Sequence, residues 1–197
     1  MGQAKARKAE IDAMKNGVYQ DGINRSADRV KRNGEVFTPT ALVNEMLDKL
    51  DKHGWIGKDT LDPCCGNGQF LVEALRRKIK AGMQGFQALQ EIYGIELMRD
   101  NVVVTRNRLV EIAMNSAVFI DPTLNPAIKT NRDLIEKHLK DYCEINNCTE
   151  KDVPIVIGFS KEKMQDLCYS IVSRNIQCGN ALTHGFKTDG SFGPISK

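Results

Sequence analysis

The run Leu61-Asp62-Pro63-Cys64-Cys65-Gly66-Asn67-Gly68-Gln69-Phe70 has the residue types and spacing best suited to chemistry. Gly66 and Gly68 allow backbone to approach a ligand where a side chain would collide with it. Asp62, at the start of the turn, is an acceptor for an ammonium group or an ordered water. Further along, Glu96 closes a second apolar run, where a carboxylate can accept hydrogen bonds from both hydroxyls of a ribose. Two alternatives stay open: an isolated Gly-x-Gly is often a plain tight turn, and Glu96 is also placed to charge the N-terminus of a following helix. A dinucleotide fingerprint is excluded, because Leu71 stands where its third glycine would be. A nucleotide-triphosphate loop is excluded too, because no Lys followed by Ser or Thr is present at that turn.

The elements around this run position it at the end of a strand. Residues 59–62 read as a short strand, and a helix carrying Phe70, Leu71, Ala74, Leu75 and Ile79 follows until Gly82 and Gly85 break it. Residues 91–96 read as a second strand and 102–113 as a second crossover helix. Strand, glycine turn, helix, strand, helix is the pattern of a parallel α/β sheet, whose ligands bind beyond the strand C-termini. Before it, residues 34–39 read as extended chain leading into a helix, with Thr38 as N-cap, Pro39 as its first residue and an apolar face of Leu42, Val43, Met46, Leu47 and Leu50. After it, residues 119–130 read as loop and 133–142 as helix. Residues 153–159 read as an edge strand, because of Pro154. Ser160 caps a helix carrying Met164, Leu167, Cys168, Ile171 and Val172. Residues 175–182 read as a third strand ending in a polar turn, and 183–197 as a flexible tail.

Composition sets wider limits. The 197 residues, 41% hydrophobic and 27% charged, match one globular domain. No apolar stretch approaches the ~18 residues needed to cross a bilayer, and the polar, basic first ten residues carry no secretory signal. The six cysteines read as free thiols in a reducing cytoplasm. Neither Cys64-Cys65 nor Cys143 with Cys148 has the spacing of a structural zinc site, so no metal is expected. The sequons at Asn24 and Asn147 read as chance matches. The net charge of +3 is uneven: residues 1–32 are +4 and the rest −1. Such an arm can contact nucleic-acid phosphates; it can equally be a solvated lead-in or an oligomer contact.

Taken together, residues 34–110 and 175–182 resemble the S-adenosylmethionine-dependent adenine-N6 DNA methyltransferases of restriction and modification systems, in the motif order of the gamma class. Phe37-Thr38-Pro39 matches their N-terminal cofactor motif. Asp62-Pro63-Cys64-Cys65-Gly66-Asn67-Gly68 matches their Asp-Pro-x-x-Gly-x-Gly loop, Gly94-Ile95-Glu96-Leu97 their ribose-binding strand end, and Cys178-Gly179-Asn180-Ala181-Leu182 their Gly-Asp-Ala-Leu turn. The resemblance implies a Rossmann-like α/β fold, here a partial sheet forming the cofactor-binding half. It places S-adenosylmethionine against Phe37, Thr38, Pro39, Asp62, Pro63, Cys64, Gly66, Asn67, Gly68, Phe70, Glu96, Leu97 and Asn180. Phe37 and Phe70 have the alternative of being core aromatics, and Asn180 of being a turn residue. The division that follows is a basic arm over 1–33, the methyltransferase-like domain over 34–182 with a variable insert at 119–170, and a tail over 183–197.

Two departures bear on activity. Asn180 stands where the family has Asp, which keeps an acceptor oxygen but loses the charge. The family's catalytic signature, Asn or Asp followed by Pro-Pro and an aromatic residue, is expected one strand after residue 182, and no match to it occurs in the chain. Asn125-Pro126 lacks the second proline and the aromatic and reads as a turn. The catalytic residue is therefore unknown, with Asn180 a weak candidate near the target base. The resemblance implies a DNA adenine-N6 methyltransferase, or its cofactor-binding half, acting on DNA as a homodimer or with a completing partner chain. The missing signature keeps open a non-catalytic regulatory or anti-restriction protein that binds the cofactor. RNA, protein or small-molecule substrates stay open as well, since fold does not fix function.

Overall fold

The computed structural model describes residues 35–120 and 160–195, together with 30, 31, 136, 137, 139–141, 143, 144 and 155–157. Nearly all of the basic arm, the Asn125-Pro126 turn and both sequons lie outside the described residues. The chain divides into two units, Met1–His53 and Gly54–Lys197. In the first, α1 (Thr40–Asp51) follows an extended segment and buries Val43 and Leu47. Pro39 is its N-cap and no side chain caps it, so the helix starts one residue later than the Thr38 reading places it. Leu42, Met46 and Leu50 of the expected apolar face are exposed.

The second unit contains β1 (Thr60–Asp62), α2 (Gln69–Lys80), α3 (Gly85–Gln90), β2 (Ile92–Glu96), α4 (Arg99–Met114), β3 (Val118–Ile120), β4 (Ile155–Ile157), α5 (Lys161–Asn175), β5 (Ile176–Cys178), β6 (His184–Phe186) and β7 (Phe192–Pro194). The strands β1, β2 and β5 form a parallel sheet with β2 in the middle. Thr60 pairs with Ile92 and Asp62 with Gly94, while Gly94 pairs with Ile176 and Glu96 with Cys178. This register brings the three C-terminal strand ends together. It bears out the alternating strand and helix reading, and Gly85 opens a short helix rather than only breaking one. Among the described residues, the edge of β1 away from β2 has no strand paired to it.

Packing follows the apolar spacing. α2 buries Leu71, Val72, Ala74 and Leu75, and α4 buries Val102, Leu109, Val110 and Ala113. Gly94 is needed in β2, because a Cβ there would come 2.8 Å from Leu71 Cδ1. On α5, Ser160 caps as expected, accepting from the Lys163 N–H at 3.2 Å. Arg106 of α4 donates to the carbonyls of Ser173 and Ile176, which ties the end of α5 and the start of β5 to the helix.

Two stretches differ from the sequence reading. β3 and β4 form a separate parallel pair, so residues 119 and 120 belong to a strand rather than a loop. Residues 184–194 form an antiparallel hairpin rather than a flexible tail. Its turn holds the Asp189-Gly190 pair: Gly190 sits at φ 78°, and the Asp189 carboxylate accepts from the Ser191 N–H at 2.9 Å. Phe186 meets the Tyr93 ring edge-on at 5.2 Å and Phe192 at 5.4 Å, and Phe192 stacks on His184. Tyr93 is adjacent to Gly94 in β2 and points to the opposite face. The hairpin aromatics therefore cover the side of the sheet that α2 does not. No helix among the described residues is long and apolar enough to cross a membrane.

Among the described residues, Lys78 carries a fully buried charge. Lys78 of α2 donates to Glu91 at 2.6 Å and to the Lys58 carbonyl at 2.7 Å, with the Trp55 ring 5.4 Å from its ammonium. These contacts fasten α2 to the chain leading into both β1 and β2. Lys78→Met, close in shape but without the charge, strands Glu91 and that carbonyl. The expected loss in chemical denaturation is about 3 kcal/mol, and the Glu91→Gln variant should lose at least as much, because it leaves the fully buried Lys78 ammonium without its countercharge.

Candidate functional site

The site is built where β1 and β2 end. Asp62 closes β1, and its Oδ1 accepts the Cys64 N–H at 3.0 Å, which turns the chain out of the strand. The Cys65 N–H still reaches the Ile95 carbonyl at 3.0 Å, so the loop stays attached to β2 for one more residue. The Gly68 N–H then folds back onto the Cys65 carbonyl at 2.7 Å. Gly66 at φ 54° and Gly68 at φ 80° are in the left-handed region that other residues avoid. Gly68 is the N-cap of α2 and has no side chain to cap with.

Glu96 joins the two strand ends. Its Oε2 accepts the Gly66 N–H at 2.9 Å, while its Oε1 accepts the Met98 N–H at 2.9 Å and Asn101 Nδ2 at 3.4 Å. The Glu96 carbonyl takes the Gly179 N–H at 3.0 Å, which adds the β5 turn to the same point. The carboxylate is thus held through side-chain geometry and does more than charge a helix N-terminus. Carboxylate oxygens offer about four lone-pair positions, so Oε2 has room for another donor.

Electrostatics here favour donors and cations. Burial, together with the nearby Glu96 charge, pushes the Asp62 carboxyl above its ordinary value, against the lowering effect of the Cys64 N–H. Burial also pushes the Cys65 thiol well above the usual thiol range, with Asp62 and Glu96 adding to the effect, so this cysteine is a packed, unreactive group. Cys64 is exposed. Asn67 is fully buried, and neither its Oδ1 nor its Nδ2 has a hydrogen-bond partner among the described residues. An unsatisfied buried amide costs about 1–3 kcal/mol, and native proteins keep few of them except at sites with a further role.

The other expected residues fall into three groups. Phe70 is half-buried in the first turn of α2, Pro63 is exposed in the loop, and Leu97 is exposed just past Glu96. Asn180 is exposed and engaged in its own turn: its Oδ1 accepts the Leu182 N–H at 2.9 Å, and its carbonyl accepts the Thr183 and His184 N–H groups. That geometry matches the turn-residue alternative. Phe37, Thr38 and Pro39 belong to the first unit, where Phe37 is buried. The sequence reading missed Asn101, Thr105 and Arg108 of α4. Thr105 Oγ1 donates to the Gly66 carbonyl at 3.0 Å, and Arg108 donates to the Asn67 carbonyl at 2.8 Å and to Gln69 Oε1 at 2.9 Å. Their spacing of four and then three residues places them on one helix face, but Arg99, Asp100, Arg106, Asn107 and Glu111 make the same helix polar elsewhere, so the stripe does not stand out in the sequence.

A glycine loop between parallel strands with an acidic second strand end defines the site of this α/β chain, and comparison with known proteins identifies its family. Residues 12–144 match the family described as N-6 DNA Methylase, and the chain belongs to that family. It is 30% identical over 96 residues to the type II methyltransferase M.VspI of Vibrio sp. (strain 343), a match covering 48% of this chain and 21% of that protein. It is 28% identical over 120 residues to the type I restriction enzyme EcoEI methylase subunit of Escherichia coli, covering 58% of this chain and 24% of that subunit. The matched segments thus span about a quarter of these relatives' length or less. No solved structure matches the chain.

The loop's shape can be tested by comparing its left-handed Gly68 with Gly57, a left-handed glycine in the turn before β1. A Cβ on Gly68 would lie 2.7 Å from Thr105 Cγ2, whereas one on Gly57, at φ 84°, meets nothing within 4 Å. Gly57→Ala should cost only the backbone strain, about 1 kcal/mol. Gly68→Ala adds a collision and should cost about 3 kcal/mol in denaturant unfolding; equal losses at the two positions would contradict the close approach of α4 to the loop.

Proposed function

We propose that this chain binds S-adenosylmethionine in the crevice beyond β1 and β2, as the cofactor-binding part of a DNA adenine-N6 methyltransferase of restriction and modification type. The observation that carries this reading is Glu96, whose carboxylate stands at the end of β2 and accepts the Gly66 N–H of the glycine loop across from it. The donor and acceptor set fits the cofactor: Glu96 Oε2 has an open position for a ribose hydroxyl, and the acidic Asp62 suits a ligand bearing an ammonium group. The left-handed glycines allow the tight turn of the loop, and the unpartnered amide of Asn67 lies within it. Bound S-adenosylmethionine would supply an electrophilic methyl group. The residues of this chain hold and orient that cofactor through Asp62, Pro63, Cys64, Gly66, Asn67, Gly68, Phe70, Glu96 and Leu97. Asn180, exposed in the turn after β5, would contribute at the edge of the crevice. Phe37, Thr38 and Pro39 belong to the reading through their sequence resemblance alone.

Adenine N6 is a weak nucleophile, because its lone pair is delocalised into the ring. Methyl transfer therefore needs oxygen acceptors for its hydrogens and an aromatic surface for the flipped base. The Asn/Asp-Pro-Pro-aromatic signature that provides them has no match among the 197 residues. We therefore assign transfer to an assembly in which a further segment or a partner chain provides that signature, with DNA as substrate and the cytoplasm as setting. The strand-free edge of β1 among the described residues supports such completion.

Calorimetric titration of the purified chain with S-adenosylmethionine tests the reading. Saturable binding by the wild type, weakened about tenfold or more in Glu96→Ala and in Asp62→Asn, is expected; a folded protein with no binding would overturn it. Asp62→Asn also separates function from stability. Since the folded pKa of Asp62 is raised, its ionised form destabilises the fold above that pKa. The Asn variant, which can still accept the Cys64 N–H, should melt higher than wild type at neutral pH. This advantage should fade as pH falls through the folded pKa toward 3.8.

A further inference from the structure

We infer that α4 carries the positioning residues of the glycine loop, with Thr105 and Arg108 setting the backbone shape that receives the ligand; this deepens the cofactor reading and rests on it. The two side chains hold successive carbonyls. Thr105 Oγ1 donates to Gly66 O and Arg108 Nη1 to Asn67 O, at 3.0 and 2.8 Å. No peptide bond in the described chain is cis, so each carbonyl and the N–H after it point in opposite directions. Fixing two carbonyls therefore fixes the rotation of two consecutive peptide planes, and the second directs the Gly68 N–H to its 2.7 Å bond with the Cys65 carbonyl.

Other contacts complete the mould. Arg108 Nη2 extends to Gln69 Oε1, which adds the first residue of α2. The body of Thr105 fills the space where a Cβ of residue 68 would stand. One turn earlier on the same face, Asn101 Nδ2 contacts Glu96 Oε1, so one stripe of α4 touches both ligand-facing strand ends. Thr105 and Asn101 are fully buried, and buried polar groups persist where they are hydrogen-bonded. These two direct their side-chain bonds to the loop and to Glu96. Gly66 and Gly68 have broad conformational freedom of their own, and a loop held in shape beforehand binds without the entropy loss of ordering.

The test uses the full chain with Thr105→Val, which keeps the shape and deletes the hydroxyl, Thr105→Ser, which keeps it, and Arg108→Met. Amide hydrogen exchange is followed over residues 64–69 and, for reference, 91–96, and S-adenosylhomocysteine affinity is measured by calorimetry. Thr105→Val and Arg108→Met should exchange at least tenfold faster in the loop with the reference unchanged, and should bind about tenfold more weakly. Thr105→Ser should restore both. Loop exchange equal to wild type overturns the inference, as does faster exchange with unchanged affinity. If the wild type binds no S-adenosylhomocysteine, the cofactor reading falls and takes this role with it; wild-type binding with indifferent variants removes this inference alone. Should Thr105→Val not fold, Arg108→Met, at a half-buried position, carries the same comparison.

Discussion

The Glu96 carboxylate is the constraint on which the rest of the site depends. A three-stranded parallel sheet brings its C-terminal ends together but does not fix the loops that leave them. Glu96 supplies this fixing from the middle strand, holding the β1 loop at Gly66, its own turn at Met98 and, through its carbonyl, the β5 turn at Gly179. A neutral side chain of the same length could make some of these bonds. Charge-assisted bonds to backbone N–H groups are stronger and leave the carboxylate anchored yet still able to accept.

The same geometry sets a cost against a use. Asp62 lies close enough to Glu96 for its carboxyl to be pushed up by burial and by that neighbouring charge. Two acidic groups at adjacent strand ends do not stabilise the sheet. They suit a ligand that brings donors and positive charge, and such strain is commonly found where a site is built to bind. Stability is supplied elsewhere, by the apolar faces of α2 and α4 against the sheet, by Lys78 under the strand starts, and by the aromatic hairpin over Tyr93.

The β1 loop, the β2 end and the helix after each were legible in the sequence, because glycine spacing, strand-end acids and apolar periodicity are local signals. The family followed from the same residues. What escaped needed tertiary contact to be seen. Residues 184–194 carry few apolar side chains, and their hairpin depends on Phe186 reaching Tyr93 with Phe192 packed on Phe186 and His184; the Asp189-Gly190 turn was the local sign available. Thr105 and Arg108 are unremarkable in a helix until the carbonyls opposite them are known. Thr38 and Pro39 had the right residue types for a helix start, yet the helix begins after Pro39, a one-residue shift of the kind that capping preferences alone do not resolve.

The most direct test of the proposed cofactor crevice is a crystal structure of the full chain with S-adenosylhomocysteine. A ribose hydroxyl on Glu96 Oε2, with the ligand against the backbone of Gly66 and Gly68, is the expected result. A ligand seated elsewhere, with the end of β2 untouched, would contradict it.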